Sequence, residues 1–453
     1  MVSPIVHLSF FSYSEITKKS LEKSLQQLKC HFTWNLMEGE KSLDEFEDKV
    51  LNKYEFQNDE FKATTYNLSA YIKHHRGQYE AALAFLRKAE ESIQEKYPDQ
   101  AEIRSLVTWG NYAWVYYYMD QLEIAQSYVN KVKEVCAKFS SPYRIESPEF
   151  ECDEGWARLK CTKNQNERAK MCFEKALEKN PKNPESSFGW AIANYRLDDK
   201  PPSRNSMEPL KKATELNSHN QYIRVLLALK LQKMNEEDKG ESLVKEALKE
   251  APDATDVLRA AAKFYQKNPD LSIKLLKRAL KHMPDNAYLH YSIGCCYRSK
   301  ILELLNGREN KNVGGVEDLP ELIGQAVDHL KKVENNGNLL HVCSYLAAIY
   351  VIAGKYKEAD HYFQKEFSKE LTPVGKQLLH LRYGNFLWYQ MKCKEKAIHH
   401  YLEGAKIKQE SKEREKIKTK LQKIVQWQLS QNEADSEALQ LSALLQGLNE
   451  DRQ

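Results

Sequence analysis

The chain has 453 residues, of which 42% are hydrophobic and 29% charged, and its 68 basic and 64 acidic side chains leave a formal net charge of +4. One compact core rarely grows past roughly 250–300 residues, so this length calls for several subdomains or a repeat array, and the composition excludes a disordered, fibrous or membrane-spanning chain. So small a net charge also excludes attraction to nucleic acid by the whole surface; such a partner has to be met by a local basic patch.

Punctuation is sparse, with 17 Gly and 14 Pro, which favours long helices. The nine cysteines (Cys30, Cys136, Cys152, Cys161, Cys172, Cys295, Cys296, Cys343 and Cys393) are odd in number and irregularly spaced, as expected of reduced thiols in the cytosol. Cys152 and Cys161 lie too far apart for a zinc knuckle and have no second pair to complete one. No run of about 18 apolar residues offers a membrane span.

Taken from the N-terminus, residues 1–20 form a divergent extension. Its apolar run Pro4 to Phe11 is short and lacks a basic flank and a cleavage site, so no signal peptide is expected. From residue 21 onward, small and large side chains recur in a frame of about 34 residues. Small residues at frame positions 8 and 20 let two antiparallel helices approach, a glycine at position 15 ends the first helix, and a proline closes the second. Residues 21–139 hold two copies, one with Gly77, Tyr79, Ala82, Leu86 and Ala89, the next with Trp109, Tyr112, Ala113, Tyr116, Ala125 and Val132. A linker from Ser140 to Glu149, with Pro142 and Pro148, opens a central subdomain over 140–335. There Ala169, Phe173, Ala176 and Pro181 mark a second helix, Ala247 with Pro252 and Ala279 with Pro284 repeat that ending, and Ile293, Gly294 and Tyr297 open a further copy. Asp198 to Pro209, with Pro201 and Pro202, interrupts one repeat. Asn306 to Pro320, with Gly307, Gly314 and Gly315, reads as a flexible insertion.

Residues 336–448 contain the clearest copy, Leu346, Ala347, Tyr350, Gly354, Tyr356, Ala359 and Phe363, followed by Tyr383, Gly384, Ala397 and Tyr401. Thr419 to Leu448 is helical without a clean repeat, as a capping helix is, and 449–453 is a polar tail. The fold class is therefore all-α, a tetratricopeptide-repeat superhelix (α-solenoid) of roughly nine degenerate helix-turn-helix repeats with a C-terminal capping helix.

In such a superhelix the first helix of each pair lines the concave face, with inward side chains near positions 2, 5, 9, 12 and 13. With Tyr195 and Tyr297 at position 11, Arg196 and Arg298 fall at position 12. With Tyr265 at position 11, Lys263 and Lys267 fall four residues apart at 9 and 13, on one helical face. These four cations converge on one concavity, which would attract phosphates without reading bases. Solvated helix faces are the bland alternative. The run Lys406, Lys408, Lys412, Arg414, Lys416, Lys418, Lys420 and Lys423 either forms a solvated amphipathic helix or folds across the groove mouth and supplies positive field there.

The N-terminal groove differs. Tyr71, His74, His75, Trp114, Tyr117 and Tyr118 occupy its inward positions and would stack unpaired bases or be packed by a neighbouring helix or a partner subunit; packing is the preferred reading. The adjacent pairs His74-His75 and His399-His400 point different ways around a helix, which is poor metal geometry. No phosphate-binding loop, dinucleotide turn, nucleophile elbow or HExxH helix occurs, so no catalysis, cofactor or metal is expected.

Several segments carry a resemblance: Leu28 to Trp34 (LKCHFTW), Arg104 to Tyr117, Cys152 to Cys161, Asn166 to Glu185, Tyr222 to Met234, Leu258 to Tyr265 and Tyr362 to Phe386. Together they resemble the interferon-induced proteins with tetratricopeptide repeats, over about Leu21 to Asn449. The resemblance implies a cytoplasmic antiviral effector without enzymatic activity that binds viral or non-self RNA, assembles with relatives and restrains translation. The last segment is similar to a branch associated with AU-rich RNA, single- or double-stranded, with a domain-swapped homodimer, with complexes among family members and with promotion of apoptosis. Contact with the translation initiation machinery is a further implied partner. The family's basic channel positions transfer to Arg196, Lys263, Arg298 and Lys416; at Lys267 the chain has lysine where relatives commonly have arginine, which keeps charge and weakens bidentate geometry. The competing expectation is a scaffold whose groove holds protein partners and whose basic face meets acidic protein. An exchange of repeats between protomers would hinge at the Ser140 to Glu149 linker.

Overall fold

The computed structural model of the protein describes residues 18–39, 43–52, 62–139, 141–143, 145–161, 163–198, 206–309, 319–336, 342–369 and 371–450. Among them no strand occurs. Residues up to Asn286 form one compact unit and residues from Ala287 a second.

The first unit begins with helical residues 18–25 (α1) and α2 (Leu43–Asn52). Antiparallel pairs follow: α3 (Lys62–His75) with α4 (Tyr79–Lys96), α5 (Ala101–Tyr118) with α6 (Leu122–Ala137), α7 (Pro148–Lys160) with α8 (Asn166–Lys179), α9 (Pro184–Leu197) with α10 (Met207–Leu216), α11 (Gln221–Lys233) with α12 (Glu237–Glu250) and α13 (Thr255–Phe264) with α14 (Pro269–His282). The second unit holds α15 (Ala287–Glu309) with α16 (Leu319–Asn336), α17 (Val342–Ile352) with α18 (Tyr356–Phe367), α19 (Pro373–Tyr389) with α20 (Lys394–Lys406), and the terminal pair α21 (Lys412–Gln431) and α22 (Ser436–Glu450). The C-terminal cap is thus two helices, split where the Asp435 carboxylate accepts from the Glu437 and Ala438 N–H groups at 3.0 Å and caps α22.

Local chemistry sets these boundaries. A capping side chain followed by proline starts α7 (Ser147), α9 (Asn183), α14 (Asn268) and α19 (Thr372), and in each the cap oxygen accepts a backbone N–H three residues on. Pro181, Pro252 and Pro284 each follow a helix end by two residues. The turn between the helices of a pair needs a left-handed residue. Gly77 and Gly354 supply it at φ 71°, and Asp120, Asn235 and Lys392 occupy the same corner at φ 60°, 63° and 57°. In four of these corners the next N–H reaches back five residues to a carbonyl at 2.9 Å (Gln78 to Lys73, Gln121 to Tyr116, Glu236 to Leu231, Lys355 to Tyr350).

Small residues make the pairs close. Ala113, Ala125, Ala347 and Ala359 are fully buried. Gly155 on α7 and Gly189 on α9 both abut the buried Phe173 ring of α8; a Cβ at Gly155 would lie 2.7 Å from it, and one at Gly189 closer still.

Several breaks read from the sequence fall differently. Pro148 opens α7, so the linker ends before Glu149, and Ile145 within it is buried. Pro209 lies inside α10, and Asn306 lies inside α15. Pro201, Pro202, Gly314 and Gly315 lie outside the described residues, as does the extension up to residue 17. All nine cysteines are free.

Candidate nucleic-acid interface

The second unit carries a groove of about 1170 Å³ between α19 and α21. Gln377, fully buried on α19, builds it. Its amide donates to the Ile407 and Gln409 carbonyls at 3.0 and 2.7 Å, and its Oε1 accepts from Ser411 Oγ at 2.6 Å. Ser411 in turn caps α21 by accepting the Arg414 N–H at 3.0 Å. One buried amide therefore fixes where α21 starts and which face it turns to α19.

That face is basic. Lys412, Lys416, Lys420 and Lys423 line the groove, three to four residues apart along one side of α21. Lys412, Lys416 and Lys423 are exposed and have no carboxylate partner among the described residues. Of the other cations of the run, Lys406 and Lys408 are exposed before α21 begins, and Arg414 and Lys418 turn inward. Arg414 is buried, donating to the Ala405 carbonyl at 2.9 Å and pairing with Glu410, and Lys418 is buried 3.8 Å from Glu415. Aromatic rings alternate with the groove lysines. Trp388 and Tyr389 come from α19 and Trp427 from α21. Lys394 Nζ lies 5.7 Å from the Trp388 ring and 5.0 Å from the Trp427 ring, and Lys420 Nζ lies 5.1 Å from the Tyr389 ring.

A second pocket of about 290 Å³ adjoins the groove, sharing Arg382, Asn385 and Tyr389 with it. Here Tyr345 of α17 carries two guanidinium groups, Arg298 of α15 at 5.9 Å and Arg382 of α19 at 5.6 Å. The Arg298 Nε is buried without a hydrogen-bond partner, and neither arginine has a carboxylate partner among the described residues. Two unneutralised guanidiniums against one ring concentrate positive charge where water is partly excluded, which favours an anion between them.

Arg298 and Lys416, two of the residues chosen from the sequence, thus belong to the second unit and line adjoining pockets. The other three belong to the first unit. Arg196, half-buried at the end of α9, donates to the Leu159 carbonyl of α7. Lys263 is exposed in the last turn of α13. Lys267 does not share a helical face with it: α13 stops at Phe264, Tyr265 caps it, and Lys267 sits in the following turn, 3.6 Å from Glu237. Asn268 and Pro269 start the next helix there, and their capping geometry ends the first one early.

Arg382, Tyr345, Trp388, Tyr389 and Trp427 were missed. The repeat frame reaches part of them: with Gly384 at position 8, the inward positions 9, 12 and 13 are Asn385, Trp388 and Tyr389, all on the groove wall. Arg382 and Tyr345 stand at position 6, which the frame assigns to neither face.

The N-terminal aromatic positions of the first unit are filled. Phe32, from the segment before the repeats, stacks on Trp114 at 5.9 Å and meets Tyr71 and His74 edge-on at 5.2 and 4.7 Å. Tyr71, His74, Trp114 and Tyr117 are buried, whereas His75 and Tyr118 stay exposed. Burial pushes the His74 imidazole down to about 4. Also in this unit, Glu151, Glu154 and Cys172 group as metal ligands would, but Lys29 stands 3.7 and 3.8 Å from the two carboxylates and Arg158 pairs with Glu154 at 2.7 Å. Those cations already neutralise the cluster.

Stacked antiparallel helix pairs, tight small-residue contacts and a groove with basic and aromatic walls define a tetratricopeptide-repeat binding protein. No family model matches the chain. It is 65% identical over 447 residues to human Interferon-induced protein with tetratricopeptide repeats 2, covering 97% of this chain and 94% of that protein. It is 42% identical over 433 residues to the human Antiviral innate immune response effector IFIT1, covering 93% and 91%. The solved human IFIT1 dimer with m7Gppp-AAAA superposes with a TM-score of 0.78 at 40% identity, covering 95% of this chain and 96% of that one. The chain belongs to the family of interferon-induced proteins with tetratricopeptide repeats. No helix among the described residues is long and apolar enough to cross a membrane.

Proposed function

We propose that this protein is an antiviral effector that acts by binding, not by catalysis, and that it holds RNA in the basic groove of its second unit. The observation that carries the reading is the pair of guanidiniums, Arg298 and Arg382, set on Tyr345 with no carboxylate partner among the described residues, beside the Lys412 to Lys423 stripe. Such a surface neutralises phosphates and gains affinity by counterion release. The relatives support it: one is named an antiviral effector, and human IFIT1 is seen with a capped AAAA oligonucleotide. Arg196, Lys263 and Lys267 add RNA contacts in the first unit under the same reading. Its finer parts are a preference for AU-rich RNA and a homodimer that swaps repeats about residues 140–149. They extend to complexes with other family members, restraint of the translation initiation machinery, and promotion of apoptosis from the cytoplasm.

The test is RNA binding by the purified chain beside an Arg298→Glu/Lys416→Glu double variant, with an AU-rich single strand and a GC-rich duplex at two salt concentrations. The expected result is loss of at least about tenfold in affinity in a folded variant and a shallower salt dependence, by roughly one counterion per lost contact. Unchanged affinity removes the groove assignment and leaves the protein scaffold as the better account.

A further inference from the structure

The groove has features that phosphate neutralisation does not require. Trp427 is 54% exposed and Tyr389 52% exposed, on the two helices that form the groove walls. Large rings this open at a pocket are otherwise costly to leave in water. Neither indole of Trp388 and Trp427 has a hydrogen-bond partner among the described residues, and both rings are met by one ammonium, that of Lys394. An ammonium at 5.0 Å from the Trp427 ring centroid leaves the ring anchored but incompletely covered.

Spacing supplies the second argument. The stripe from Lys412 to Trp427 runs about 22 Å along α21, and its lysines recur about every 6 Å. That interval suits the neighbouring phosphates of an extended single strand. In a duplex, by contrast, bases are paired and stacked internally and present no free face to a protein ring.

We propose that Trp427 and Tyr389 form a base-stacking site in this groove, which therefore takes a single-stranded stretch of RNA with unpaired bases, its phosphates carried by Lys412, Lys416 and Lys423. Asn385, whose Oδ1 accepts from Tyr401 Oη at 2.9 Å, presents its amide N–H₂ to the same groove as a donor for base edges. Selection is for unpairedness first, because every base has a face to stack. This inference rests on the groove being an RNA site, and the experiment separates the two.

The measurement is fluorescence anisotropy with three labelled probes: a 12-nucleotide A/U single strand, the same strand with abasic positions, and the blunt duplex. The proteins are the full chain, Trp427→Ala, Tyr389→Ala and Lys416→Glu, each checked by circular dichroism. Because both rings are half exposed, their truncation leaves the fold standing. The expected result is that Trp427→Ala weakens the single strand by about 5- to 100-fold, leaves the abasic strand and duplex within about twofold, and quenches less on binding than the wild type. Lys416→Glu weakens every probe. If Trp427→Ala and Tyr389→Ala bind the single strand as the wild type does while Lys416→Glu is impaired, the RNA site stands and the stacking site is overturned. If no variant differs from the wild type, both are overturned. If a poly-glutamate peptide displaces the strand and the abasic strand binds as well as the intact one, the groove belongs to acidic protein, which also overturns the stacking site.

Discussion

The side-chain amide of Asn111 lies 3.1 Å from His31 Nδ1, while its own Oδ1 accepts the His31 backbone N–H, also at 3.1 Å. This orientation makes Nδ1 an acceptor and puts the imidazole proton on Nε2. Asn111 also donates to Asn67 at 2.9 Å, which donates to Thr108 at 3.0 Å, so the Nδ1 side of the ring is committed, while the buried Nε2 has no hydrogen-bond partner among the described residues. Protonating Nδ1 would set two donors face to face.

Burial pushes His31 down to about 3 and His74 to about 4. Between those values and the ordinary 6.5, the unfolded chain binds protons that the folded chain refuses. Stability is therefore full above about pH 6.5 and falls as pH drops through that window. His31 alone costs on the order of 2 kcal/mol by pH 5. Asp153, raised to about 7 by burial, acts in the opposite sense: its contribution is present below the ordinary carboxylate value and is lost as pH rises toward 7. Urea melts at pH 7.5 and 5.0 should show a smaller loss for His31→Gln than for the wild type. Equal slopes would remove His31 as a source of the acid sensitivity.

Phe32 sits between Trp114, Tyr71 and His74, so Phe32→Ala should cost about 2–3 kcal/mol and Phe32→Leu less than half of that. Urea midpoints give the magnitude, and the near-ultraviolet dichroism of Trp114 should change with it. A neutral Phe32→Ala would mean that the aromatic groove closes without its plug.

Gly189→Ala should destabilise by about 2–3 kcal/mol, because its new methyl would overlap the buried Phe173 ring. Adding Phe173→Leu should recover part of that loss, since the two changes share one space. Purely additive losses in the double variant would show that the backbone of α9 shifts instead.

Lys392 holds a left-handed backbone with a side chain that gains nothing from it, at a corner where other repeats use glycine. Lys392→Gly should therefore stabilise the chain by about 1 kcal/mol, raising the melting temperature by about 2 °C. Gly354→Ala should do the reverse by about 1 kcal/mol.

Much of this architecture was legible because its causes are local. The closing prolines, the glycine corners and the buried alanines are short-range signals that fix the repeat frame, whereas the cap-and-proline starts of α7, α9, α14 and α19 lie outside that frame, and Pro148 reads from the sequence as linker. The frame also put Arg298 at an inward position, where it meets Tyr345. It failed at Lys267, because a helix end depends on the capping chemistry of the next helix, here Asn268 and Pro269. It also could not sort the basic run. Lys412, Lys416 and Lys420 face the groove while Arg414 and Lys418 are buried, and that division is set by Gln377, some thirty residues earlier in the chain. A ring such as Tyr345 becomes part of a site only through two arginines on other helices, and no spacing rule encodes such a meeting.

The plug also imposes an order on synthesis. Phe32 leaves the ribosome long before its partners, and the segment is not fully tied down until Gln165, 130 residues later, donates to the Asn35 carbonyl. At the usual pace of translation, that gap lasts roughly 6–26 s. Over the earlier part of it, until Trp114 emerges, Phe32 waits without its full seat, an apolar side chain open to chaperones and to the same groove of a neighbouring nascent chain.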